Sequence, residues 1–482
     1  MFKRVLVANR GEIAQRVIRC CIEMDVECIA AYSKADENEI YVPFATDSIC
    51  IGAAPAKDSY LNIDHIISAA LATGCDAVHP GYGFLSENAE FARRCEENGI
   101  KFIGPPAEVI EKLGVKQTAR ELMMANGVPV VPGSASTVES VEEAARIAEQ
   151  IGYPVLVKAS AGGGGRGMRR ADGPDDIADA FDQARSEAIS CFGNGDVYVE
   201  KLILNPKHVE IQVFADTRGN CIHLGERDCS IQRKNQKMVE ETPCARLTPE
   251  VREAMGQTAV RAARAAGYVN AGTVEFVVDE NLNFYFIEMN TRIQVEHPIT
   301  EMVYAVDLVR EQIRIAAGLP LSYRQEELHP SGHAIECRVN AESPARGFAP
   351  CPGRITLAYL PSGNGTRVDS AIYDGYDVSP YYDSLIAKIV VWAPTRLEAV
   401  RKMRRCLEET AIEGIDTNVD FELFIMYHGV FLRGNYNTGF IDQCIGEILD
   451  LEKRAAEIEA AEAAAAAADA AAAGVPAESR GV

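Results

Sequence analysis

The sequence lacks the local patterns that mark secreted, membrane-spanning or zinc-binding proteins. Its 14 cysteines contain no C-x-x-C pair, which argues against the usual zinc-ribbon and thioredoxin sites. No run approaches the roughly 18 apolar residues that a membrane-spanning helix needs. The apolar run at residues 5–8 is too short for the core of a signal peptide. We therefore expect a cytoplasmic protein without a membrane span, whose thiols are reduced and mostly buried.

Basic residues are fewer than acidic residues. The chain has 48 lysines and arginines against 70 aspartates and glutamates, a formal net charge of −22. Because proteins that coat DNA or RNA present a basic face, nucleic acid is not an expected partner. Hydrophobic residues make up 47% of the chain and charged residues 24%, as in an ordinary globular protein. A length of 482 residues predicts about two to four domains.

Strand and helix patterns alternate through the first hundred residues. This order predicts an α/β domain with a doubly wound parallel sheet at residues 1–114. In such a sheet the ligand-binding loops follow the carboxyl ends of the strands. Three segments fall there and are candidate ligand loops: NRGE at 9–12, HPGYG at 79–83 and IGPP at 103–106.

The later patterns predict α+β structure in further domains. A small unit at about 131–203 follows the segment 128–133, whose two prolines and glycine are typical of a hinge. The strands after this unit are longer and alternate, which predicts an antiparallel sheet in a domain at 115–330. Another sheet domain is expected at 331–447, and the alanine-rich acidic tail at 448–482 is expected to be helical or disordered.

A run of four glycines, Gly162–Gly165, follows a strand that ends at Lys158. Glycine lets backbone N–H groups approach phosphate oxygens without a Cβ in the way, and the lysine adds a positive charge. The run fits neither the P-loop nor the dinucleotide-binding glycine pattern, so both of those protein classes are disfavoured. We interpret it as a phosphate-binding loop, with a flexible linker as the alternative.

Two acidic residues, Glu275 and Glu288, lie on predicted strands that are joined by a polar turn. If the strands pair as a hairpin with these faces together, the two carboxylates meet, and Asn290 follows on the same side. Carboxylate and amide oxygens suit Mg²⁺ that bridges nucleotide phosphates. The sequence has no His–Cys cluster that would favour zinc or copper. The alternative is a pair of carboxylates that face solvent.

The segment 288–301 continues from the second of these strands and is dense in polar side chains, including Arg292 and Glu296. An arginine beside a glutamate can hold a small oxyanion and deprotonate it in place. Arg338, on a later strand, could reach the same pocket, and the segment ERDCSIQRKNQK at 226–237 supplies further donors. These residues predict a second anion site next to the predicted metal site.

Together these motifs resemble biotin carboxylase, the ATP-grasp component of biotin-dependent carboxylases. The resemblance covers about residues 2–446 and is carried by ANRGEIA, HPGYGFLSEN, GGGGRGM, ERDCS, EMNTRIQVEHPITE and PYYDSLIAK. It implies a Rossmann-like N-terminal domain, an ATP-grasp domain with a mobile lid and a C-terminal biotin carboxylase domain. It also implies that bicarbonate attacks the γ-phosphate of ATP to give carboxyphosphate, and that biotin is then carboxylated at its ureido nitrogen.

The resemblance implies roles for residues at matching positions. It implies that ATP is bound by Lys116, Lys158, Gly163, Gly164, Gly165, Glu200, Lys201, Ile203, His208, Gln232, Glu275 and Glu288. Mg²⁺ or Mn²⁺ would be held by Glu275, Glu288 and Asn290. Bicarbonate and biotin would be held by Lys237, Arg292, Gln294, Val295 and Arg338. The implied catalytic residues are Arg292, Glu296, Arg338 and Lys237, with Glu296 as the base and Arg338 stabilising the biotin enolate. Asn235 departs from the family pattern, in which histidine is common at this position.

The resemblance also implies partners. The chain has no Met-Lys-Met segment of the type that carries biotin, so the expected partners are a biotin carboxyl carrier protein and a carboxyltransferase, and a homodimer is expected. Our first expectation is a subunit of acetyl-CoA carboxylase, which makes malonyl-CoA for fatty acid synthesis. The alternatives are a two-subunit pyruvate carboxylase or another acyl-CoA carboxylase, another ATP-grasp ligase, and a non-catalytic nucleotide-binding module.

Overall fold

Short apolar segments bounded by polar turns build a five-stranded parallel sheet in the N-terminal part of the computed structural model. The structure describes residues 1–134, 136–159 and 167–472, so the glycines Gly163, Gly164 and Gly165 lie outside the described residues. The elements are β1 (Arg4–Val7), α1 (Gly11–Glu23), β2 (Glu27–Ser33), α2 (Tyr41–Phe44), β3 (Asp47–Gly52), α3 (Ile63–Ala72), β4 (Ala77–His79), α4 (Ala89–Glu97), β5 (Lys101–Phe102), α5 (Ala107–Gly114) and α6 (Lys116–Ala125). The strand order β3-β2-β1-β4-β5 confirms the predicted doubly wound sheet.

Two of the predicted ligand loops leave this sheet side by side, because β1 and β4 are neighbouring parallel strands. Asn9 ties the loops together, since its side-chain amide donates to the carbonyl oxygens of Pro80 and Tyr82 at 2.7 Å each. Gly81 lies between them with a φ of +62°, and a Cβ at this position would lie 2.8 Å from the amide nitrogen of Asn9. The close approach and the positive φ explain why glycine stands in this turn.

A small three-stranded antiparallel sheet with two helices forms the unit that the sequence predicts as a lid. Its elements are α7 (Val141–Ile151), β6 (Val155–Ala159), β7 (Met168–Ala171), α8 (Ile177–Phe192) and β8 (Val197–Lys201), and the strand order is β7-β6-β8. The chain enters and leaves this unit along adjacent paths, because the N–H of Lys201 donates to the carbonyl oxygen of Pro132 at 2.7 Å. This pairing lies at the end of the segment that the sequence predicts as a hinge.

The remaining long strands form one antiparallel sheet of eight strands that continues across the predicted domain boundary at 330/331. Up to that boundary the elements are β9 (Lys207–Ala215), β10 (Cys221–Arg233), β11 (Gln236–Thr242), α9 (Pro249–Ala266), β12 (Asn270–Val278), β13 (Phe284–Asn290), α10 (His297–Tyr304) and α11 (Leu308–Ala316). The order is β13-β12-β9-β10-β11 and continues with strands from the C-terminal part.

The C-terminal part completes this sheet and adds small hairpins and helices. Its elements are β14 (His333–Asn340), β15 (Glu342–Ser343), β16 (Ala349–Pro350), β17 (Gly353–Arg354), β18 (Leu357–Tyr359), β19 (Thr366–Ser370), β20 (Asp377–Val378), β21 (Leu385–Ala393), α12 (Arg396–Glu409), β22 (Ala411–Glu413), α13 (Val419–Tyr427), α14 (Gly429–Leu432) and α15 (Phe440–Ala472). The order β11-β14-β21-β19 joins the two parts, with Glu240 opposite Glu336. The two sheets expected from the sequence are thus continuous, which places β11 and β14 side by side.

The described part of the tail is helical, as α15 extends to Ala472. The first turns of α15 pack into the C-terminal core through Phe440, Ile441 and Ile448, all of which are buried. Within the described residues, the structure contains no helix with both the length and the apolar character to cross a membrane. All 14 cysteines are free thiols and eleven of them are buried, which confirms the expectation for the cysteines.

Candidate functional site

A cavity of about 1080 Å³ lies between the N-terminal sheet, the lid and the eight-stranded sheet. Its N-terminal wall consists of the loops NRGE and HPGYG, whereas residues 103–106 do not line it. Its other walls include many of the residues predicted from the sequence: Lys116, Lys158, His208, Gln232, Lys237, Glu275, Glu288, Asn290, Arg292, Gln294, Val295 and Arg338. The fold therefore brings together residues that are more than two hundred positions apart in the chain.

A smaller cavity of about 320 Å³ adjoins the first between the lid and α6. It is lined by the predicted residues Glu200, Lys201 and Ile203, by the side chains of Leu156, Tyr198, Val277 and Phe286, and again by Lys116 and Lys158. The Nζ of Lys158 lies 2.6 Å from Oε2 of Glu200. The Nζ of Lys201 donates to the carbonyl oxygens of Gly152 and Tyr153, so this side chain is bound within the lid. A largely apolar slot with polar groups at its edge suits a flat heterocycle.

The two carboxylates of the predicted metal site lie directly opposite each other on β12 and β13. The regular pairing at the start of the hairpin would place Ile287 opposite Glu275, but a bulge shifts the register by one residue and brings Glu288 there. The side-chain amide of Asn290 donates to Oε1 of Glu275 at 2.9 Å. The Nε2 of His208 lies 2.9 Å from Oε2 of Glu275. Two carboxylates and an amide oxygen form a donor set that fits Mg²⁺ or Mn²⁺.

Lys237 lies at the centre of three buried carboxylates. Its Nζ is 2.6 Å from Oε2 of Glu210, 2.7 Å from Oε1 of Glu296 and 3.0 Å from Oε1 of Glu275. Burial opposes the charge of the ammonium group, but the surrounding acidic groups raise the pKa of Lys237 well above its ordinary value. The lysine is therefore a fixed cation with all three of its N–H donors directed at carboxylates.

Glu296 lies between two cations that come from neighbouring strands. Its Oε1 accepts from Lys237 on β11, and its Oε2 accepts from Nη2 of Arg338 on β14 at 2.9 Å. Burial alone would raise the pKa of Glu296, but Lys237, Arg338 and Arg227 lower it well below the ordinary value. Glu296 is fully buried and ionised, and each of its oxygens is oriented by one cation.

Arg292 is held in a fixed orientation by hydrogen bonds to three other side chains. Its Nε donates to Oε2 of Glu87 at 2.9 Å, its Nη1 to Oε1 of Gln294 at 2.7 Å and its Nη2 to Oδ1 of Asn290 at 3.1 Å. The sequence motifs do not by themselves single out Glu87, although it belongs to the quoted motif HPGYGFLSEN. They do not single out Glu210 either, the one carboxylate of the alternating segment HVEIQVF, although a lone carboxylate on a buried strand indicates a paired charge.

Asn235 lies in the two-residue turn between β10 and β11, where Arg233 pairs with Gln236. Both turn residues, Lys234 and Asn235, have positive φ angles of 49° and 65°. Such hairpin turns favour asparagine, because its side chain tolerates the left-handed conformation. The departure from the family pattern at this position thus fits the local backbone.

Comparison with known proteins gives the family. The chain matches the biotin carboxylase N-terminal domain at residues 1–110, the carbamoyl-phosphate synthase L chain ATP-binding domain at 115–324 and the biotin carboxylase C-terminal domain at 336–443. The chain belongs to the biotin carboxylase family. It is an ATP-dependent carbon–nitrogen ligase that catalyses the biotin carboxylation half-reaction.

Relatives with different names resemble this chain to nearly the same degree. Biotin carboxylase 1 of Bacillus subtilis is 53% identical over 443 residues, which cover 92% of this chain and 98% of that protein. A pyruvate carboxylase subunit of Methanothermobacter thermautotrophicus is 51% identical over 443 residues, which cover 92% of this chain and 90% of that protein. A crystal structure of the Hydrogenobacter thermophilus 2-oxoglutarate carboxylase biotin carboxylase domain dimer contains MgADP, ADP and bicarbonate. It is 53% identical, has a TM-score of 0.85 and covers 92% of this chain and 98% of that one.

Proposed function

We propose that this chain carboxylates biotin attached to a separate carrier protein, and that the residues of the large cavity carry out the chemistry. The position of Glu296 is the observation that carries the proposal. One of its oxygens contacts Lys237, a predicted ligand of bicarbonate, and the other contacts Arg338, the predicted partner of biotin. A base in this position lies between the two substrates that must react in sequence.

The nucleotide is the first substrate in the proposed site. Its base would occupy the smaller cavity beside Glu200 and Ile203, and its phosphates would extend towards Lys116 and Lys158. Glu275, Glu288 and Asn290 would hold a divalent cation, which when bound neutralises charge on the phosphates. The protein side chains then have mainly to align the γ-phosphate with bicarbonate, because phosphoryl transfer depends on positioning and charge stabilisation.

Bicarbonate would be held by the donors of Lys237, Arg292 and Gln294 and by the backbone of Val295. The carboxylate of Glu296 accepts the bicarbonate proton, and the freed oxygen attacks the γ-phosphorus. This step forms the new O–P bond and breaks the bond to ADP, which leaves with the electron pair. The products are ADP and carboxyphosphate.

Carboxylation of biotin would follow in the same cavity. Carboxyphosphate breaks down to CO₂ and phosphate, and the phosphate removes the proton of the biotin ureido nitrogen. The negative charge that develops on the ureido oxygen faces Arg338, whose position is fixed by Glu240 and Glu296. The nitrogen then attacks CO₂ to give carboxybiotin.

We further propose that the chain belongs to a cytoplasmic holoenzyme that also contains a biotin carboxyl carrier protein and a carboxyltransferase. Within this holoenzyme the chain forms a homodimer. The free thiols and the dimer seen in the Hydrogenobacter thermophilus structure support this assignment. Acetyl-CoA carboxylase is our first assignment for the holoenzyme. Co-purification with a transferase that acts on pyruvate would reassign the holoenzyme and leave the half-reaction unchanged.

The test is bicarbonate-dependent ATP cleavage with and without free biotin. Wild-type turnover should rise when biotin is added, and Glu296→Gln should abolish bicarbonate-dependent turnover while ATP still binds. Glu280→Gln, which changes an exposed carboxylate in the turn between β12 and β13, is the matched control and should retain activity. Turnover that ignores biotin, or a fully active Glu296→Gln variant, would refute the proposed function.

A further inference from the structure

Lys388 is a fully buried cation behind the large cavity, and the mechanism above does not use it. It is the last residue of the motif PYYDSLIAK and lies on β21, between the apolar residues Ala387 and Ile389. Its Nζ donates to the carbonyl oxygen of Val295 at 2.9 Å. The same Nζ lies 3.1 Å from Oε1 of Glu12.

The contact with Val295 bears on the predicted bicarbonate site. The carbonyl of Val295 belongs to the peptide that links this residue to Glu296, so a bond to Lys388 fixes the plane of that peptide. The preceding carbonyl, that of Gln294, is bound by Nδ1 of His297 at 2.8 Å. Burial lowers the pKa of His297 well below its ordinary value, so the ring is neutral and donates through Nδ1. The carbonyl groups of Gln294 and Val295 are therefore both fixed by hydrogen bonds to side chains.

The contact with Glu12 bears on the opposite wall. Glu12 is the last residue of the NRGE loop and lies at the start of α1, where it accepts a hydrogen bond from the hydroxyl of Tyr82 in the HPGYG loop. Glu12 and Tyr82 both line the cavity. Lys388 therefore contacts both walls of the cavity: Val295 beside the predicted base, and Glu12 in the N-terminal wall.

The charge of Lys388 is maintained in the core. Burial opposes it, but Glu12, Glu336 and Asp369 raise the pKa of Lys388 above its ordinary value. Buried ion pairs contribute little net stability compared with apolar residues of the same size. Stability of the fold therefore does not explain a lysine in the middle of this apolar strand. Orientation of the groups that it contacts, the Val295 carbonyl and the Glu12 carboxylate, explains it better.

We infer that Lys388 is a positioning residue of the bicarbonate site: it holds the peptide between Val295 and Glu296, and through Glu12 it holds the wall that carries Tyr82. This inference rests on the proposed function, because it assigns Lys388 to the presentation of the bicarbonate ligands and of the base. Lys388 itself touches neither substrate in this scheme.

The test compares KM for bicarbonate with KM for ATP in the full-length chain. Lys388→Met should raise KM for bicarbonate by about tenfold or more and change KM for ATP by less than about twofold, since one charge-assisted hydrogen bond to the backbone is lost. The double variant Lys388→Met with Glu12→Gln removes a cation and a carboxylate together. It keeps the core charge balanced and should show the same bicarbonate defect if the single variant does not fold.

Lys402→Met is the matched control. The Nζ of Lys402 also donates to two backbone carbonyls, those of Asn364 and Trp392, but it does not line the cavity. This variant should change neither KM. The inference is overturned by a folded Lys388 variant with an unchanged KM for bicarbonate, by an equal rise of both KM values, or by failure of both Lys388 variants to fold. A wild-type chain without bicarbonate-dependent ATP cleavage would refute the proposed function instead.

Discussion

Glu240 and Glu241 are consecutive residues of β11, both fully buried, and we predict that replacing each with glutamine changes stability in opposite directions. Oε1 of Glu240 accepts from Nε of Arg338 at 2.7 Å, while its Oε2 has no hydrogen-bond partner among the described residues. Another carboxylate, that of Glu336, lies on the opposite position of β14. Burial raises the pKa of Glu240 to about 7, even though Arg338 acts to lower it.

The raised pKa of Glu240 determines whether Glu240→Gln stabilises or destabilises the protein. The folded chain binds the proton more tightly than the unfolded chain, whose carboxyl has the ordinary pKa of 4.5, so stability decreases as the pH rises from 4.5 to about 7. The loss amounts to about 3 kcal/mol. Because glutamine carries no charge, Glu240→Gln should be more stable than the wild type by up to about 3 kcal/mol at pH 8. The difference should disappear as the pH falls below 4.5.

Glu241 has the opposite environment on the other face of the sheet. It accepts hydrogen bonds from His333 and Arg396 at 2.7 Å each and from the hydroxyl of Tyr436. Burial opposes its charge, but the hydrogen bonds and charges of His333 and Arg396 lower the pKa of Glu241 to about 2. Its contribution is present above pH 4.5 and is lost as the pH falls towards 2. Glu241→Gln should therefore cost about 3 kcal/mol at pH 8, and less as the pH falls.

The assay is thermal unfolding of the wild type and both variants between pH 4 and pH 8 at constant ionic strength. For a chain of 482 residues, 1 kcal/mol shifts the unfolding midpoint by about 1 °C. The midpoint should therefore rise by about 3 °C for Glu240→Gln at pH 8 and fall by about 3 °C for Glu241→Gln. The reasoning is refuted if both variants shift the midpoint in the same direction at pH 8. It is also refuted if the shift of Glu240→Gln is the same at pH 5 and pH 8.

Two further predictions concern the edge of the site and the tail. Glu87→Gln should raise KM for bicarbonate by no more than about fivefold and leave KM for ATP unchanged, because the ion pair to Arg292 is partly exposed; steady-state kinetics at varied bicarbonate measures it, and a loss of ATP binding would contradict it. Truncation after Arg454 should change neither turnover nor the unfolding midpoint, because Ile448 is the last buried apolar residue among the described side chains of α15; a midpoint lowered by several degrees would show that the tail packs on the protein.

The sequence predicts the parts of the site that depend on local patterns. The alternation around Glu275 and Glu288 is sufficient to predict two strands, which the hairpin confirms, but it leaves open whether the faces that carry the two carboxylates coincide. The bulge that aligns them could not be predicted, because Ile287 looks like any other alternating residue. Strand pairing between β11 and β14 is likewise non-local, and alternation identifies strands without identifying their partners. Lys388 lies on β21, which pairs with β14 and β19. Its contact with Val295 is therefore also non-local and cannot be predicted from the sequence pattern.

The contacts of Lys237 couple the predicted metal site to the predicted bicarbonate site. An ammonium group has three N–H donors, and those of Lys237 are directed at Glu210, Glu275 and Glu296. Bicarbonate can be bound by this lysine only if one carboxylate gives up its contact. Of the three carboxylates, only that of Glu275 also belongs to the predicted metal donor set. If Mg²⁺ binds the oxygens of Glu275, one N–H of Lys237 becomes available to bicarbonate.

This coupling predicts that KM for bicarbonate falls as Mg²⁺ is raised at constant nucleotide, and that Glu275→Gln weakens this dependence. The glutamine keeps an oxygen that can accept from Lys237 but binds the cation less well, so the Mg²⁺ needed for half-maximal turnover should rise about tenfold. The measurement is bicarbonate-dependent ATP cleavage over a grid of Mg²⁺ and bicarbonate concentrations. A wild-type KM for bicarbonate that does not depend on Mg²⁺ would show that Lys237 binds the anion without releasing Glu275, and the two sites would then be independent.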